Sequence, residues 1–565
     1  MLRRLMILYF LLSQLSLWSY PQDTKLREIV GKYGQAEVSI PWPGTRAIDI
    51  ITRNVSITSV RDKNVFITIS PLTIDWFLSQ KFDYQILERS DYKGVISAGS
   101  LGQAMEWQSY PTCSQYDSIM QHFASTYQAF CHLDTIGTSI NGRLVLALKI
   151  SDNTGTKEDE PEVFYSSTMH GDELAGYVLM LRLADYLLKN YDTDNRVKTL
   201  VDNLEIWINP LANPDGTYSS GNTITYPTRG NANGTDLNRN FPDPFQPLEI
   251  PEKENQDMIK FMRKHKFVIS ANFHSGAEVV NYPWDRWLSK IHADDSWFNT
   301  LSRAYADTVH NYSGPAYMSD EINGVTRGAA WYVIYGGRQD FITWELQGRE
   351  VTIEIDNTKE TPPAQLELLW QYNWRSFLGY LENAMYGIHG VVRDAHNSLP
   401  VAARVYISGH DKDSSQVYSD TLNGKFTRLI SPGTWSLSFS AKGYQDTTLN
   451  DVIVIAGQKT DLVIEMKSIT NSIDTTNPEL PFLYPNPAST LMKAILPEKL
   501  TGKVNIKIIS QSGMKVADYN KDFLPGSPIE VDVRGMAGGG YTIIFTNTQS
   551  GASYRSRIIV TGRCF

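Results

Sequence analysis

The chain has few cysteines, no excess of basic residues and, beyond its N-terminus, no apolar run that could cross a membrane. Only 3 of its 565 residues are cysteine, which excludes a small scaffold held together by disulfides. Lys and Arg number 52 against 61 Asp and Glu, so the charge gives no reason to expect nucleic acid as a partner. The length exceeds what one hydrophobic core supports and predicts about three or four domains.

The N-terminus has the features of an export signal. Arg3 and Arg4 precede the apolar stretch 5–18, which is too short to span a bilayer comfortably. We therefore predict a signal peptide over residues 1–21; no Ala-x-Ala marks its cleavage site, and a short membrane anchor is the alternative. In an oxidising compartment Cys113 and Cys131 could pair, and two free thiols are the other interpretation.

Three polar residues could form a metal site. His170 and Glu173 are spaced i, i+3 where the apolar run 162–169 meets a helical pattern, and a corner between strand and helix would aim both side chains at one point. His274 ends a second strand-like run, 267–273, and can supply a third ligand. Two imidazoles and one carboxylate suit Zn²⁺ in a catalytic site, where the fourth position stays open to water.

A His-x-x-Glu pair alone is weak evidence, because a surface histidine and a helix-capping glutamate give the same spacing. Further segments strengthen it: NPLANPDG (209–216), RGNANGTDLNRNFP (229–242), GVTRGAAWY (324–332), GGRQDF (336–341) and EVTIEI (350–355). With these segments in this order, residues 110–385 resemble the M14 zinc carboxypeptidases, specifically the branch of carboxypeptidases N, E and D. The resemblance implies one zinc ion per chain, bound by His170, Glu173 and His274.

Glu354 is the candidate general base. It lies in the run 351–355, where burying a carboxylate among β-branched residues is costly unless it has a chemical role. From the pattern alone, a solvent-facing residue of an alternating strand is an equal alternative. The resemblance favours the catalytic role, with Glu350 as its solvated neighbour.

The resemblance also implies how the substrate is held. Arg229 would stabilise the oxyanion that forms during cleavage. Arg239, with Asn238 beside it, would grip the free α-carboxylate through two parallel hydrogen bonds. Tyr332 would close over the bound residue. Tyr335 lies near enough in the sequence to be the matching tyrosine instead, but the spacing to the GGRQD motif favours Tyr332.

Specificity is predicted to depend on Asp285. In family members that remove C-terminal Arg or Lys, an aspartate at the matching position lies at the bottom of the side-chain pocket. A buried carboxylate needs a cation, which a basic substrate residue supplies. Gln339 matches a second pocket position and is polar here. The alternative is that Asp285 is a turn residue after Pro283.

The sequence pattern changes along the chain. Residues 22–109 alternate β-like runs with a helical pattern, which predicts a small α+β region that is either a propeptide covering the active site or a permanent domain. Residues 110–385 alternate strands and helices as an α/β domain does, with helices predicted over 173–191, 252–266 and 363–386, and the resemblance implies a mixed sheet. Short alternating strands over 386–466 predict a small β-sandwich that resembles the transthyretin-like domain of this branch.

A polar linker, 467–480, precedes a second small β domain over 481–565. The YPNP opening at 484–487 and a Gly-Gly-Tyr hairpin resemble the C-terminal sorting domains of type IX secretion substrates, which implies the outer-membrane secretion machinery as a partner. The ending TGRCF departs from that pattern, so a third sandwich with a binding role is the alternative.

Together these features predict a secreted or cell-surface bacterial metallocarboxypeptidase, monomeric and periplasmic in transit, that removes C-terminal Lys and Arg from peptides and proteins. One alternative is an M14 amidase or carboxypeptidase acting on cell-wall peptides, against which Asp285 argues because such substrates place an acidic or neutral group in that pocket. A non-catalytic surface adhesin is the other alternative. It predicts loss of a zinc ligand or of the base, and none is missing.

Overall fold

A computed structural model describes residues 21–87, 97–247, 249–469, 481–510, 513–525 and 527–561. Residues 1–20 of the predicted signal peptide, residues 470–480 of the predicted linker and Cys564 lie outside these ranges. Within them, no helix combines the length and the apolar character that crossing a membrane requires.

The N-terminal domain (residues 21–87) is the predicted α+β region. Its elements are α1 (Pro21–Tyr33), β1 (Ala36–Pro41), α2 (Thr45–Ile51), β2 (Ser56–Arg61), β3 (Asn64–Ile69), α3 (Ile74–Ser79) and β4 (Gln85–Leu87). The strands form an antiparallel sheet in the order β2-β3-β1-β4. Alternate residues of β1, such as Val38 and Ile40, face a core that Leu26 and Val30 of α1 complete, as the period of two in a strand requires.

The central domain (residues 97–385) alternates helices and strands. In chain order these are α4 (Leu101–Ala104), α5 (Cys113–Thr126), β5 (Cys131–Thr138), β6 (Leu144–Ile150), β7 (Glu162–Ser167), α6 (Ala175–Asn190), α7 (Asn195–Val201), β8 (Glu205–Asn209), α8 (Pro214–Thr217), α9 (Lys253–Lys264), β9 (Phe267–His274), β10 (Val279–Tyr282), α10 (Asp295–Ser313), α11 (Asp320–Asn323), β11 (Val325–Arg327), α12 (Arg338–Glu345), β12 (Arg349–Glu354) and α13 (Leu366–Glu382).

The strands of this domain form one mixed sheet in the order β11-β10-β12-β9-β7-β8-β6-β5. The four neighbours β12, β9, β7 and β8 are parallel to one another, so their carboxyl ends meet at one edge. Helices α6 and α13 cover one face and α9 the other, which explains why β7 and β12 are buried along their whole length. The predicted α/β fold class is confirmed.

The strongest helical patterns match helices of the structure. The predicted helices over 173–191, 252–266 and 363–386 correspond to α6, α9 and α13, with ends shifted by one to four residues. Helix α10 was not predicted, although its buried Trp297, Leu301, Tyr305 and Val309 recur every four residues; the polar residues between them obscured the pattern. In the described part of the chain, Cys113 and Cys131 are free thiols.

Two β-sandwiches follow, as predicted. The first comprises β13 (Gly387–Asp394), β14 (Arg404–Ile407), β15 (Val417–Tyr418), β16 (Lys425–Arg428), β17 (Gly433–Ser440), β18 (Thr447–Val454) and β19 (Lys459–Met466), in sheets β16-β13-β19 and β15-β14-β17-β18. It is tied to the central domain by the buried Asp294, whose carboxylate accepts hydrogen bonds from Arg349 of β12 and Arg428 of β16.

The last domain is a compact unit with its own core. Its strands are β20 (Phe482–Tyr484), β21 (Leu491–Ile495), β22 (Gly502–Ser510), β23 (Lys515–Phe523), β24 (Ile529–Asp532), β25 (Gly539–Asn547) and β26 (Ser553–Val560), in sheets β20-β21-β24 and β23-β22-β25-β26. Met492, Ile506, Ile543 and Phe545 are buried between the sheets.

Candidate metal centre and substrate pocket

The three predicted metal ligands meet at the carboxyl edge of the central sheet. His170 and Glu173 lie in the turn between β7 and α6, and His274 ends the neighbouring β9. His170 Nδ1 is 2.8 Å from Glu173 Oε1, while His274 Nδ1 is 2.7 Å from Glu173 Oε2 and 3.0 Å from His170 Nδ1. All three side chains are buried, so their nitrogen and oxygen atoms converge where water is largely excluded.

The contacts on the far side of each imidazole allow both rings to turn a lone pair toward the cluster. His170 Nε2 lies 3.0 Å from the acceptor Asp236 Oδ1, so Nε2 carries the proton of the neutral ring and Nδ1 turns a lone pair toward the cluster. His274 Nε2 lies 2.8 Å from the amide of Asn272, whose Oδ1 has no partner among the described residues. Turning that amide over lets Oδ1 accept from Nε2–H. Both Nδ1 atoms and the Glu173 carboxylate then offer lone pairs to one point, a donor set that fits Zn²⁺.

Asp236 and Asn272 belong to this site, although the sequence analysis gave neither a role. Histidines that bind metals usually donate the second ring N–H to such an acceptor, which fixes the ring and its tautomer. Their sequence positions could have indicated this role. Asp236 stands two residues before Asn238 in the same motif, and Asn272 stands two residues before His274, on the same face of β9.

Glu354 lies directly beside the cluster. It ends β12 and is the in-register partner of His274 on the parallel strand β9, and adjacent strands lie about 4.8 Å apart. Its Oε2 has no hydrogen-bond partner in the part of the chain that the structure describes. Burial raises the pKa of Glu354 well above its usual value, and the charge of Glu173 raises it further. This placement suits a group that takes a proton from a water molecule at the cluster.

Glu350, predicted to be solvated, is fully buried. Its Oε2 accepts hydrogen bonds from Arg338 Nη2 at 3.0 Å and from Ser270 Oγ at 2.7 Å. The prediction was wrong because the alternation of a half-exposed strand does not hold for a central parallel strand, which is covered on both faces.

Two arginines flank the cluster. Arg229 Nη1 donates to Glu173 Oε1 at 3.0 Å, and its Nε donates to Asp236 Oδ2 at 2.9 Å. Arg239 ends a single 3-10 turn that begins after Asp236, whose side chain accepts from the backbone N–H of Asn238 at 2.9 Å. One carboxylate thus orients both His170 and the turn that carries Asn238 and Arg239.

Tyr332 lies among these groups. Burial raises the pKa of Tyr332; the charge of Arg239 lowers this pKa, and the charge of Glu354 raises it. Tyr335 lies elsewhere, since its hydroxyl donates to Asp49 of the N-terminal domain and its ring contacts Arg53. The structure therefore brings Tyr332, and not Tyr335, to the site.

Asp285, predicted to lie at the bottom of the side-chain pocket, is 3% exposed. Its Oδ1 accepts from Asn281 Nδ2 at 2.8 Å and from Gln339 Nε2 at 3.0 Å. Burial raises its pKa to about 6, although the hydrogen bond from Asn281 and the charge of Arg239 oppose this. The amide oxygens of Asn281 and Gln339 are buried and have no partner within the described ranges. The surroundings of Asp285 are therefore rich in hydrogen-bond acceptors.

The loop that carries Asp285 is held by Asp340, the last residue of the GGRQD motif. The Asp340 carboxylate accepts from the backbone N–H of Asp285 at 3.0 Å and of Arg286 at 2.9 Å. The segment with Gly328 packs against the same loop. A Cβ at Gly328 would lie 2.0 Å from the carbonyl oxygen of Trp284, so this close approach requires glycine.

Comparison with known proteins matches three parts of the chain. The zinc carboxypeptidase family model matches residues 116–376, the carboxypeptidase regulatory-like domain matches 387–467, and the secretion system C-terminal sorting domain matches 482–561. The predicted resemblances to the carboxypeptidase family and to a sorting domain are confirmed.

Among curated relatives, the rat (Rattus norvegicus) carboxypeptidase N catalytic chain is 33% identical over 388 residues, covering 61% of this chain and 83% of that protein. Human (Homo sapiens) carboxypeptidase D is 33% identical over 375 residues, covering 64% of this chain. The chain spans only 27% of the length of that relative. In a solved structure, carboxypeptidase A from Helicoverpa armigera superposes with a TM-score of 0.48 at 16% identity, covering 62% of this chain and 97% of that one.

Proposed function

Because the chain belongs to the zinc carboxypeptidase family, we propose that it removes Lys or Arg from the C-termini of peptides and proteins. The observation that carries this specificity is the buried Asp285 between two amides whose oxygens have no described partner. A guanidinium or ammonium group brings the positive charge and the N–H donors that these oxygens require. An apolar side chain would leave them unsatisfied.

His170, Glu173 and His274 would hold one zinc ion. When bound, zinc lowers the pKa of a water molecule toward neutrality and polarises the scissile carbonyl. Glu354 would take a proton from a water molecule at this cluster. Arg229 stabilises the negative charge that develops on the carbonyl oxygen, because its guanidinium is already fixed by Glu173 and Asp236 before the substrate arrives.

An exopeptidase must also recognise a free C-terminus. Arg239, with Asn238 beside it, binds the α-carboxylate through paired N–H groups, and Tyr332 covers the bound residue. A Cβ at Gly337 would lie 3.7 Å from both Asn238 Oδ1 and Asp285 Oδ2, so the carboxylate site and the pocket floor flank the same point. One terminal residue can reach both.

Cleavage of cell-wall peptides by an M14 amidase is the weaker proposal. Such substrates would bring an acidic or neutral group to a pocket that already holds a carboxylate and unpaired acceptors. These buried groups would lose water on substrate binding without gaining a hydrogen-bond donor, which is unfavourable. A surface adhesin without catalytic activity would not require three aligned zinc ligands and a general base beside them.

We extend the proposal to the location of the protein. The match of residues 482–561 to a secretion sorting domain supports export through an outer-membrane machinery. A signal peptide over residues 1–21 would bring the chain to the periplasm, and the last domain would direct it as a monomer to the medium or the cell surface. The predicted domain limits at residues 386 and 481 are part of this proposal. The predicted limit at residue 110 is too late, because Ala98, Ala104 and Trp107 pack in the core of the central domain.

A panel of peptides that differ only in the last residue tests the specificity. The purified protein should release Arg and Lys and leave Phe and Glu ends largely intact. Preference for Phe or Glu ends would overturn the proposed specificity, and release of none of the four would overturn the carboxypeptidase proposal.

A further inference from the structure

The side chain of Asn213 lies where three segments of the candidate site meet. It precedes helix α8 and is fully buried. Its Oδ1 accepts from the backbone N–H of Gly216 at 2.9 Å, and because that N–H needs an acceptor, the contact fixes which way the amide is turned. Its Nδ2 donates to the carbonyl oxygen of Met169 at 3.2 Å and to that of Arg229 at 3.3 Å. One amide thus joins the turn of the proposed metal ligands to the segment that carries the proposed oxyanion arginine.

The main chains of these segments are in direct contact. The backbone N–H of Gly171 donates to the carbonyl oxygen of Arg229 at 3.3 Å, and Thr217 Oγ1 donates to the carbonyl oxygen of Gly171 at 2.9 Å. A Cβ at Gly171 would lie 2.3 Å from the carbonyl carbon of Gly216, and a Cβ at Gly216 would lie 2.6 Å from the carbonyl oxygen of Gly230. Such close approaches require glycine at both positions. The three segments therefore pack with little freedom to shift.

This packing bears on the guanidinium of Arg229, which donates to Glu173 Oε1 and to Asp236 Oδ2. A group that stabilises an oxyanion must already point at the place where the charge develops. An arginine side chain has many rotamers, so its guanidinium is placed only as precisely as its main chain is held. The contact between Asn213 and the carbonyl oxygen of Arg229 provides that hold on the side of the metal ligands.

We propose that Asn213 is a positioning residue for hydrolysis, whose amide holds the main chain of Arg229 against the turn of the zinc ligands so that the guanidinium meets the developing oxyanion. The inference rests on the proposed role of Arg229. Asn213 acts through this arginine, so loss of its N–H groups weakens binding of the transition state and leaves binding of the substrate unchanged.

The variant Asn213→Ser tests this inference in the full-length chain. Serine caps a helix as well as asparagine does, so its hydroxyl can replace Oδ1 toward Gly216, but it lacks the N–H groups that reach Met169 and Arg229. The guanidinium would be misplaced and not removed. We therefore expect kcat for an Arg-ended peptide to fall about 10- to 100-fold at unchanged KM.

The matched control is Asn209→Ser. Asn209 is also fully buried, and its Nδ2 donates to the carbonyl oxygen of Leu146 at 2.7 Å; none of its hydrogen bonds reaches Met169 or Arg229. This variant should lower the free energy of unfolding as Asn213→Ser does, with kcat unchanged. An equal fall in kcat in both variants would overturn the inference, because the effect would then be general destabilisation.

A double-mutant cycle with Arg229→Ala tests the route of the effect. If Asn213 acts through Arg229, adding Asn213→Ser to Arg229→Ala should lower kcat no further. Losses that multiply would overturn the inference, and so would an unchanged kcat in Asn213→Ser alone. Both results leave the proposed function intact.

A peptide phosphonate ending in Arg gives a readout that needs no turnover, because its tetrahedral phosphorus carries a charged oxygen like that of the oxyanion. Asn213→Ser should bind it more weakly by the factor by which kcat/KM falls, while the affinity for free arginine stays the same. Equal phosphonate affinity would overturn the inference whether or not the protein is active. Weaker phosphonate binding without hydrolysis of any basic-ended peptide would support the inference and reject the proposed activity.

The variant Thr217→Val keeps the test decisive if Asn213→Ser does not fold. Valine has the shape of threonine but cannot donate to the carbonyl oxygen of Gly171, so the same packing is loosened from a second side chain. It should weaken phosphonate binding in the same way at unchanged arginine affinity. Unchanged phosphonate affinity in this variant would contradict the inference.

Discussion

Asp285→Asn is the sharpest perturbation of the proposed specificity. The change keeps the size of the side chain but removes the charge from a group that is 3% exposed and accepts two hydrogen bonds. Breaking a desolvated charge pair costs about 2–5 kcal/mol, so kcat/KM for Arg and Lys ends should fall about 30-fold to several thousand-fold. Arg239 still holds the α-carboxylate, and the zinc chemistry is unchanged.

The assay compares peptides ending in Arg, Lys, Leu and Phe under one set of conditions. Leu and Phe ends should change little or improve, because they no longer leave a carboxylate unpaired. Asp243→Asn is the control: this aspartate is similarly shielded and pairs with Arg286 outside the pocket, so its loss should not alter the ranking. A uniform drop across all four substrates would show that Asp285 is structural, and an unchanged basic preference would place specificity elsewhere.

Three further predictions follow from the same geometry. Burial raises the pKa of Asp285 to about 6, so the ratio of kcat/KM for Arg ends to that for Leu ends should fall as the pH drops through about 6 and this carboxylate loses its charge; a ratio that stays flat from pH 8 to 5 would contradict this. Glu354→Gln removes the base but keeps its shape and should lower kcat at least about 100-fold at unchanged zinc content, whereas near-normal turnover would reject the role of Glu354. Deleting residues 482–565, a unit with its own core, should leave active protein in the periplasm, and unchanged delivery to the medium or surface would refute the sorting role.

The residues of the candidate site could be predicted from sequence because short motifs carry them. His170 and Glu173 lie three residues apart at a strand-to-helix corner, and His274 ends the neighbouring strand, so chain geometry alone brings them together. Asp236 and Asn272 were not predicted to belong to the site. A residue that hydrogen-bonds and orients a metal-binding histidine has no characteristic spacing from it, even though each of these two lies two residues from a predicted site residue.

Burial and docking were harder to predict. The environment of Glu350 depends on Arg338 and Ser270, which reach it from other elements, and the local pattern of β12 does not encode them. The contact between Ile57 and Arg239 uses a main-chain carbonyl, which every residue has. Only the tertiary arrangement of the two domains reveals that this carbonyl oxygen accepts from Arg239.

In the proposed mechanism His170, Glu173 and His274 hold a zinc ion on which hydrolysis depends. Metal analysis of the purified chain, combined with the release of C-terminal Arg before and after treatment with 1,10-phenanthroline, tests it most directly. We predict about one zinc ion per chain, loss of zinc in His274→Ala, and complete inhibition by the chelator that added zinc reverses. Activity that survives full removal of the metal would contradict the account.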